Sequence, residues 1–428
     1  MILFVLIFLR YPRWALVGII IAKPVIDLTW NFFVAPNINF LKIYSSVFVI
    51  IGILFIIIHH LKSIQHTINW LWLFFLLLNF ISIFIITNST TWIDKIDYFL
   101  RISSGLVVYI LFTQLFSFKK DRSAVLLIFI GAGVCSMLIW LIPALIGRPL
   151  FSNDPLKRII GPYHDFWNFM FYGTQVVFSC LALLAVVSKN ALRSTSNTII
   201  RTISYLKRKN ILSVILWFLI IVGIFMVYKC YTKAGWVTLG VCLFIWFLLR
   251  KRYIVAVLIP VLIILFISIT PFSNEFHRTF SNEIGYYING AEIKEEVFRG
   301  RLSRWDQGMV AFKEAPVVNK LFGIEKSEVN PENDYLRVLW DNGIIGFMIF
   351  LALLGVTGYL LIRKYAKNKD PVGLLGIIVW VMYLLYSIGS YPMLYPAFQW
   401  FMWGIIGFVL SERKPIAIKN PVEKLRSA

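Results

Sequence analysis

The chain has 428 residues, of which 59% are hydrophobic and 15% charged, and its mean hydropathy is +0.78. Apolar runs of about twenty residues, the length that crosses the hydrocarbon core of a bilayer as a helix, recur throughout. These values exclude a soluble domain and predict an all-α polytopic membrane protein. The net charge of +21 would suit a nucleic-acid-binding protein, but the positions of the charges indicate membrane topology instead.

The apolar runs form about twelve candidate transmembrane helices within a single integral membrane domain, residues 1–428. An even number of spans places both termini on one side of the membrane. The predicted spans are 12–33, 41–61, 69–87, 98–117, 123–147, 167–188, 211–230, 234–250, 253–271, 336–362, 371–389 and 393–411.

Lysine and arginine collect on the side of the membrane that holds the two termini. More than half of the 42 basic residues lie there, mainly in the connections 118–122, 189–210, 250–252 and 363–369 and in the tail after residue 412. The positive-inside rule assigns such short basic connections to the cytoplasm. The sequence therefore predicts two cytoplasmic termini, and nucleic acid is not expected as a partner.

One large polar segment, residues 272–335, separates spans nine and ten and is predicted to be extracytoplasmic. It contains eight basic and eleven acidic residues, so it lacks the excess of positive charge seen on the other side. Apolar residues at helical spacing predict a helix over 292–312, which ends before Pro316. A polar loop on a bundle of spans places its chemistry at the membrane surface, where lipid-linked substrates are delivered.

Cationic side chains in the outer connections are candidate ligands for a diphosphate. Arg301 and Arg304 share a face of the predicted loop helix, and Arg299 lies within the same helix. A guanidinium group can bind two phosphate oxygens at once. The alternative is that these arginines only neutralise the acids of the loop. Lys233 lies in an outer turn between two spans, against the positive-inside preference, and its alternative role is to reach lipid headgroups.

Glu332, at the mouth of the tenth span, is the candidate general base. Partial burial at the rim of an apolar cavity is expected to raise its pKa, so that it could accept a proton from an attacking hydroxyl. Asn333, Asp334 and Tyr335 follow it and are candidate substrate-binding residues. The alternative for this run is a cap on the helix that begins here, because acids and Asn favour helix N-termini.

The outer connection 148–167 carries a second polar group: Arg158, Tyr163 and His164. Arg158 is a further candidate ligand for the diphosphate, and His164 could hydrogen-bond a sugar. Tyr163 and Trp305 could stack on sugar rings, although aromatic residues at this level also form an interfacial belt without any ligand.

Two further features concern charges and metals. Lys23 and Asp27 lie one turn apart in the first span and are predicted to pair. No spacing of cysteines or histidines suggests a metal site, and no nucleotide-binding phosphate loop is present, so no cofactor is expected.

Together these short motifs resemble the O-antigen ligase and polymerase superfamily of bacterial envelope polysaccharide assembly. The long loop of that family has G-R-x-x-x-W, then a Gly-containing segment, then H-N-x-Y-L opening a span with G-x-x-G. The matching segments here are 300–305, 321–323, 332–336 and 343–346. Weaker matches are an upstream R-x-x-G-x-F/Y motif at Arg158, Gly161 and Tyr163, an S-R-G turn at 232–235, and a first-span segment at 23–27.

Two positions depart from the family pattern. The family His is Glu332 here, and the Arg of the turn is Lys233. In ligases that His is held to activate the acceptor hydroxyl, so its replacement weakens a ligase assignment, whereas Glu looks compatible with polysaccharide polymerases. Lys233 keeps the charge of the family Arg but not its bidentate geometry.

The resemblance implies a metal-independent GT-C-type glycosyltransferase in a bacterial inner (cytoplasmic) membrane, acting at its outer face. The favoured activity is that of a Wzy-type O-antigen polymerase of lipopolysaccharide biosynthesis, which joins undecaprenyl-diphosphate-linked oligosaccharide repeat units. Its partners would be that lipid-linked donor, membrane lipid and, as a candidate, a chain-length regulator protein. The alternatives are an O-antigen ligase that transfers polymer to lipid A core and a transporter of lipid-linked oligosaccharides.

Overall fold

The computed structural model describes residues 8, 10–35, 38–60, 67–86, 91–118, 120–147, 166–188, 211–230, 232–269, 301–323 and 331–411. This part of the chain is almost entirely helical, apart from a small antiparallel hairpin of Phe33–Ala35 and Ile38–Asn39. The helices are α1 (Pro12–Asp27), α2 (Phe40–His60), α3 (Thr67–Phe80, continued by a π-helical turn Ile81–Ile86), α4 (Trp92–Leu115), α5 (Arg122–Leu145), α6 (Phe166–Ser188), α7 (Ile211–Lys229), α8 (Lys233–Leu249), α9 (Tyr253–Ile269), α10 (Arg301–Glu314), α11 (Val317–Phe322), α12 (Asp334–Asn368), α13 (Pro371–Gly389) and α14 (Pro396–Leu410).

Each of the predicted spans contains one helix, while α10 and α11 fall inside the long polar loop. Eight of the described helices, α2 to α7, α12 and α13, are long and apolar enough to cross a membrane. Helices α8, α9 and α14 are apolar but shorter, and α1 has 16 residues. The protein is therefore an all-α multi-pass membrane protein, whereas the number of twelve crossings and the GT-C architecture stay predictions.

The first helix carries a buried ion pair. Lys23 and Asp27 are only 3% and 5% exposed and contact each other, as their spacing predicts. Tyr172 of α6 donates a hydrogen bond of 2.9 Å to Asp27, and the Lys23 ammonium lies 5.4 Å from the ring centroid of Trp400 in α14. Because a buried charge is costly without partners, this network fixes α1 against α6 and α14.

Small residues allow the helices of the bundle to approach closely. A Cβ on Gly173 of α6 would lie 2.9 Å from the carbonyl oxygen of Gly223 in α7, and the reverse substitution meets the same distance. Without a hydrophobic driving force between helices in lipid, such close backbone packing is a main source of helix association. In contrast, Trp217, Phe218 and Ile221 of α7 are half-exposed or more and form an apolar outer surface suited to acyl chains.

The helix bundle has two ends, which are named here by residues that lie at them. At one end, which we call the Glu332 end, α8 and α12 begin and α13 finishes. The opposite, Arg250 end holds Arg250, Lys251 and Arg252 between α8 and α9, together with the C-terminal end of α12. The sequence-based topology predicts that the Arg250 end is cytoplasmic.

Candidate active site

Two arginines and one carboxylate meet at the Glu332 end. Arg301 donates from Nε and Nη2 to Oε2 of Glu332, at 2.8 and 2.6 Å, and Arg304 donates from Nη1 to Oε1 at 3.0 Å. The three side chains are 22%, 32% and 28% exposed for Arg301, Arg304 and Glu332, so solvent still reaches them. The predicted helical spacing of the arginines is therefore correct, and it directs both guanidinium groups to a single acid.

The charge balance of this triad changes the expectation for Glu332. Partial burial raises the pKa of the carboxyl, but the hydrogen bonds and positive charges of Arg301 and Arg304 outweigh that effect and hold the pKa below its usual value. The expected rise of this pKa is therefore wrong for the protein as it stands. A carboxylate bound in this way is a weak base until the arginines are drawn to another anion.

The backbone around Glu332 is unusual and is fixed from α10. Glu332 has a φ of 47°, in the left-handed region that non-glycine residues seldom adopt. Trp305, one position after Arg304, donates from Nε1 to the carbonyl oxygen of Pro331 at 2.6 Å. That bond ties the strained turn to the helix that carries the arginines, and strain of this kind often marks a functional site.

The start of α12 is anchored to the last turns of α13. Asn333 caps α12 by accepting from the backbone N–H of Leu336 at 3.0 Å, and its Nδ2 donates to the carbonyl of Ile388 at 3.1 Å. The Tyr335 hydroxyl donates to the carbonyl of Leu384 at 3.0 Å. The cap alternative is thus correct for Asn333, and both residues position Glu332, while their contact with substrate stays a prediction.

Asp334 is fully buried at the same junction. Its Oδ2 accepts hydrogen bonds from the Ser387 hydroxyl at 3.2 Å and from the backbone N–H of Met393 at 3.0 Å. A carboxylate that receives donors from α13 and from the following connection holds these elements around the first turn of α12. These contacts within the protein give Asp334 a positioning role. Its contact with substrate stays a prediction.

Glycines explain how the loop helices dock on α12. Gly308 of α10 lies directly on the Trp340 ring, where a Cβ would overlap the indole, and Phe312 packs on the same ring. After α11, Gly323 (φ 117°) touches the backbone near Gly343 (φ 66°), at which α12 departs from helical geometry. Gly323 and Gly343, the glycines of two family motifs, therefore allow the backbone at the end of α11 to contact the backbone of α12.

The turn that precedes α8 lies next to Arg301. A Cβ on Gly389, the last residue of α13, would lie 3.4 Å from the Ala234 Cβ and 3.8 Å from Arg301 Nη1. These two distances place the Ala234 methyl and the Arg301 guanidinium no more than 7.2 Å apart (3.4 plus 3.8 Å). Lys233, the first residue of α8, directly precedes Ala234. Two of the three predicted cationic segments thus converge.

Helix polarity adds to the positive character of this region. Thr232 caps α8 by accepting from the N–H of Gly235 at 3.2 Å, and Asn333 caps α12, so both helices direct their N-termini to the Glu332 end. Helix N-termini carry partial positive charge and favour anions. The site therefore combines two arginines, the Lys233 turn and two helix N-termini close to Glu332.

Charged residues deeper in α12 form part of this end of the bundle, and the motif comparison missed them. The Arg337 guanidinium lies 4.7 Å from the ring centroid of Tyr391. Asp341 accepts a hydrogen bond of 2.6 Å from the Tyr98 hydroxyl of α4, and the Ser82 hydroxyl donates to its backbone carbonyl. Arg337 and Asp341 could have been found from the sequence, because a basic and an acidic residue lie four residues apart inside an apolar span, as Lys23 and Asp27 do.

Four predicted site residues lie outside the described part of the chain: Arg158, Tyr163, His164 and Arg299. Their convergence with the triad stays a prediction. Within the described ranges, no three His, Cys, Asp or Glu side chains gather as metal ligands would.

Residues 216–351 match a family model described as O-antigen ligase, Wzy_C. The match confirms the resemblance to the O-antigen ligase and polymerase superfamily. The matched segment begins in α7 and ends inside α12, so it contains Lys233, both loop arginines and Glu332. A search of curated proteins gives no match.

Members of this superfamily are glycosyltransferase-like enzymes of lipopolysaccharide-related biosynthesis, both ligases and polymerases, and the match does not separate the two activities. The matched segment contains the three residues of the triad, Arg301, Arg304 and Glu332. Helix α10 carries both arginines, and its Trp305 holds the turn at Glu332 in place.

Proposed function

We propose that the protein is a polysaccharide polymerase that joins oligosaccharide repeat units carried on a polyprenyl diphosphate. The observation that supports this activity best is the meeting of Arg301, Arg304 and Glu332 within hydrogen-bond distance, beside the Lys233 turn. An enzyme that cleaves a sugar–diphosphate bond needs preorganised cations where negative charge develops and a proton acceptor close to them. A triad of two guanidinium groups and one carboxylate contains both.

In the proposed step, the acceptor sugar hydroxyl attacks the anomeric carbon of the donor. A bond forms between the acceptor oxygen and that carbon, and the bond from the carbon to the diphosphate oxygen breaks. The electron pair of the broken bond leaves with the diphosphate, whose charge the arginines stabilise, and Glu332 takes the hydroxyl proton. The energy comes from the diphosphate linkage of the substrate itself.

The low pKa of Glu332 becomes part of this mechanism. A diphosphate carries more negative charge than one carboxylate and competes with Glu332 for Arg301 and Arg304. Once the arginines turn to the diphosphate, the Glu332 carboxylate loses the interactions that hold its pKa down and becomes a stronger base. The base is then active only when the donor is in place.

A single-substrate assay tests the polymerase activity. Purified full-length protein receives one lipid-linked repeat unit and no second type of acceptor, and the products are separated by length. A polymerase yields a ladder of products, a ligase yields none until lipid A core is added, and a transporter yields none in either case. Arg301→Ala and Glu332→Gln should abolish the ladder at unchanged protein abundance in the membrane. A product that appears only with lipid A core would replace the proposal by a ligase.

The ligase is the second candidate, because the matching family model is described by that activity. Glu332 at the position of the family His favours the polymerase. A transporter is less well supported, because two of the charges inside the described spans, Lys23 and Arg101, form ion pairs with an acid one turn away and so do not mark an open path.

A further inference from the structure

The Arg250 end of the bundle contains two clefts that share one arginine. The first, of about 300 Å³, lies between the ends of α6, α7 and α8 and reaches Arg250 and Arg252. The second, of about 260 Å³, lies between α8, α12 and α13 and reaches Arg250, Lys251 and Lys369. Both clefts therefore have cations at the rim, and they lie far along the helices from the triad.

The walls of the first cleft are apolar. Leu181 and Leu184 of α6, Trp217 of α7 and Trp246 of α8 line it. Trp246 is almost fully buried, whereas Trp217 is half-exposed on the outer surface of the bundle. An elongated apolar chain could lie against Trp217 and α6 while a polar group stays at the helix ends.

At the rim of the first cleft, Arg250 and Arg252 form no ion pair with an acid among the described residues. The described acids at this end are Asp121 and Asp370, and each is already paired, with Arg13 and Arg122 respectively. Arg250 and Arg252 are close enough in the fold for their positive charges to repel each other. A bound anion would relieve that repulsion.

The chain itself offers no anionic segment to fill the first cleft. The connection 189–210, which joins the two helices at the cleft mouth, contains six basic residues and no acid. The tail after residue 411 contains five basic residues and two acids. Charge complementarity therefore favours an anion from outside the chain, and the apolar walls favour one that carries hydrocarbon.

We propose that the first cleft binds an anionic phospholipid, with the headgroup phosphate held by Arg250 and Arg252 and an acyl chain against Leu181, Leu184 and Trp217. Basic pockets between membrane helices on the cytoplasmic side bind acidic headgroups in this way. The bound lipid fills the space between α7 and α8 and so braces the hairpin whose outer turn carries Lys233. The site takes a structural lipid rather than the sugar donor, and it stands whether or not the proposed polymerase activity is correct.

The test uses full-length protein purified in a maltoside detergent and stripped of lipid. Short-chain phosphatidylglycerol is titrated, and binding is followed by native mass spectrometry and by the shift in thermal unfolding. Phosphatidylcholine with the same chains and inorganic phosphate are titrated in parallel. Phosphatidylglycerol should bind and stabilise, and neither of the other two should do so at the same concentration.

Variants at the cleft identify the site. Arg250→Gln with Arg252→Gln should weaken phosphatidylglycerol binding on the order of twenty-fold, and Arg252→Gln alone, at an exposed position, about five-fold. The matched control is Arg363→Gln with Lys367→Gln, which removes the same charge from exposed positions near the end of α12, outside both clefts.

Three outcomes overturn the proposal. Equal binding of phosphatidylcholine would show an apolar groove without headgroup recognition. Equal stabilisation by inorganic phosphate would show an anion site that does not use the cleft walls. An equal loss in the Arg363 and Lys367 control would show diffuse attraction to a basic surface.

Discussion

Replacing Glu332 by glutamine should change substrate binding and catalysis in opposite directions. The carboxylate accepts three charge-assisted hydrogen bonds, of 2.6, 2.8 and 3.0 Å, from two arginines. Each such bond contributes about 1.5–3 kcal/mol to stability in a protein interior. Because these side chains are about a quarter to a third exposed, solvent weakens the bonds, and we take about 1–2 kcal/mol for the interaction of Glu332 with both arginines. Glutamine keeps the shape and removes the charge, and it frees both arginines for a diphosphate.

The assay is the binding of farnesyl diphosphate, a soluble prenyl diphosphate, to the purified protein. Glu332→Gln should bind it about 5–30-fold more tightly than the wild type, which is the equivalent of about 1–2 kcal/mol, and should make no polymer. The control is Glu314→Gln, an exposed acid at the other end of α10, which should leave both properties unchanged. Weaker binding in Glu332→Gln, or full polymer production by it, would falsify the exchange mechanism.

The same variant gives a pH test. Because the folded pKa of Glu332 lies below the unfolded value of about 4.3, the triad's stabilisation is complete above that pH and is lost as the pH falls through the folded pKa. Protonated Glu332 resembles glutamine, so the ratio of the two dissociation constants should approach one at low pH. The ratio cancels the titration of the diphosphate itself. A ratio that stays constant with pH would show that the carboxylate does not compete for the arginines.

Three further tests concern the architecture of the site and of the helix bundle. Gly343→Ala should prevent accumulation of folded protein in the membrane, because φ is 66° and a Cβ would overlap the backbone at Leu321. Gly355→Ala in the same helix, where an added Cβ would meet no neighbouring part of the protein within 4 Å, should accumulate normally. Trp305→Phe keeps an aromatic ring but removes the 2.6 Å hydrogen bond to the Pro331 carbonyl. It should lower the free energy of unfolding by about 1 kcal/mol, which is measured as a lower midpoint of thermal unfolding. An unchanged midpoint would contradict the role given to that hydrogen bond. Lys23→Met or Asp27→Leu alone should destabilise the protein more than the two substitutions together, because each single change leaves a buried charge without its partner. A double-mutant cycle that compares the thermal unfolding or membrane abundance of the wild type, the two single variants and the double variant measures this difference.

The positions of the spans, the pairing of charges along one helix and the superfamily can be predicted from the sequence, because each depends on residues that are close together in the chain or on the order of short motifs. Apolar runs set the positions of the spans, since a helix satisfies its own backbone in lipid, and a helix lies in each predicted one. Spacing along a helix was enough to pair Lys23 with Asp27 and to place Arg301 and Arg304 on one face. Motif order indicated the superfamily that the match over 216–351 confirms.

Only the tertiary structure decided what the charged residues do to one another. Burial alone made a raised pKa the natural expectation for Glu332, but α10 folds back across about thirty residues and brings two arginines onto it. Asn333 and Asp334 look like ligands in the sequence, yet they hold α12 to α13. The contact of Gly323 with the backbone beside Gly343, and of Gly389 with Arg301 and Ala234, depends on distant segments. Local sequence patterns specify helices and their faces. The electrostatics of a site depend on residues that are distant in the sequence and come together only in the folded protein.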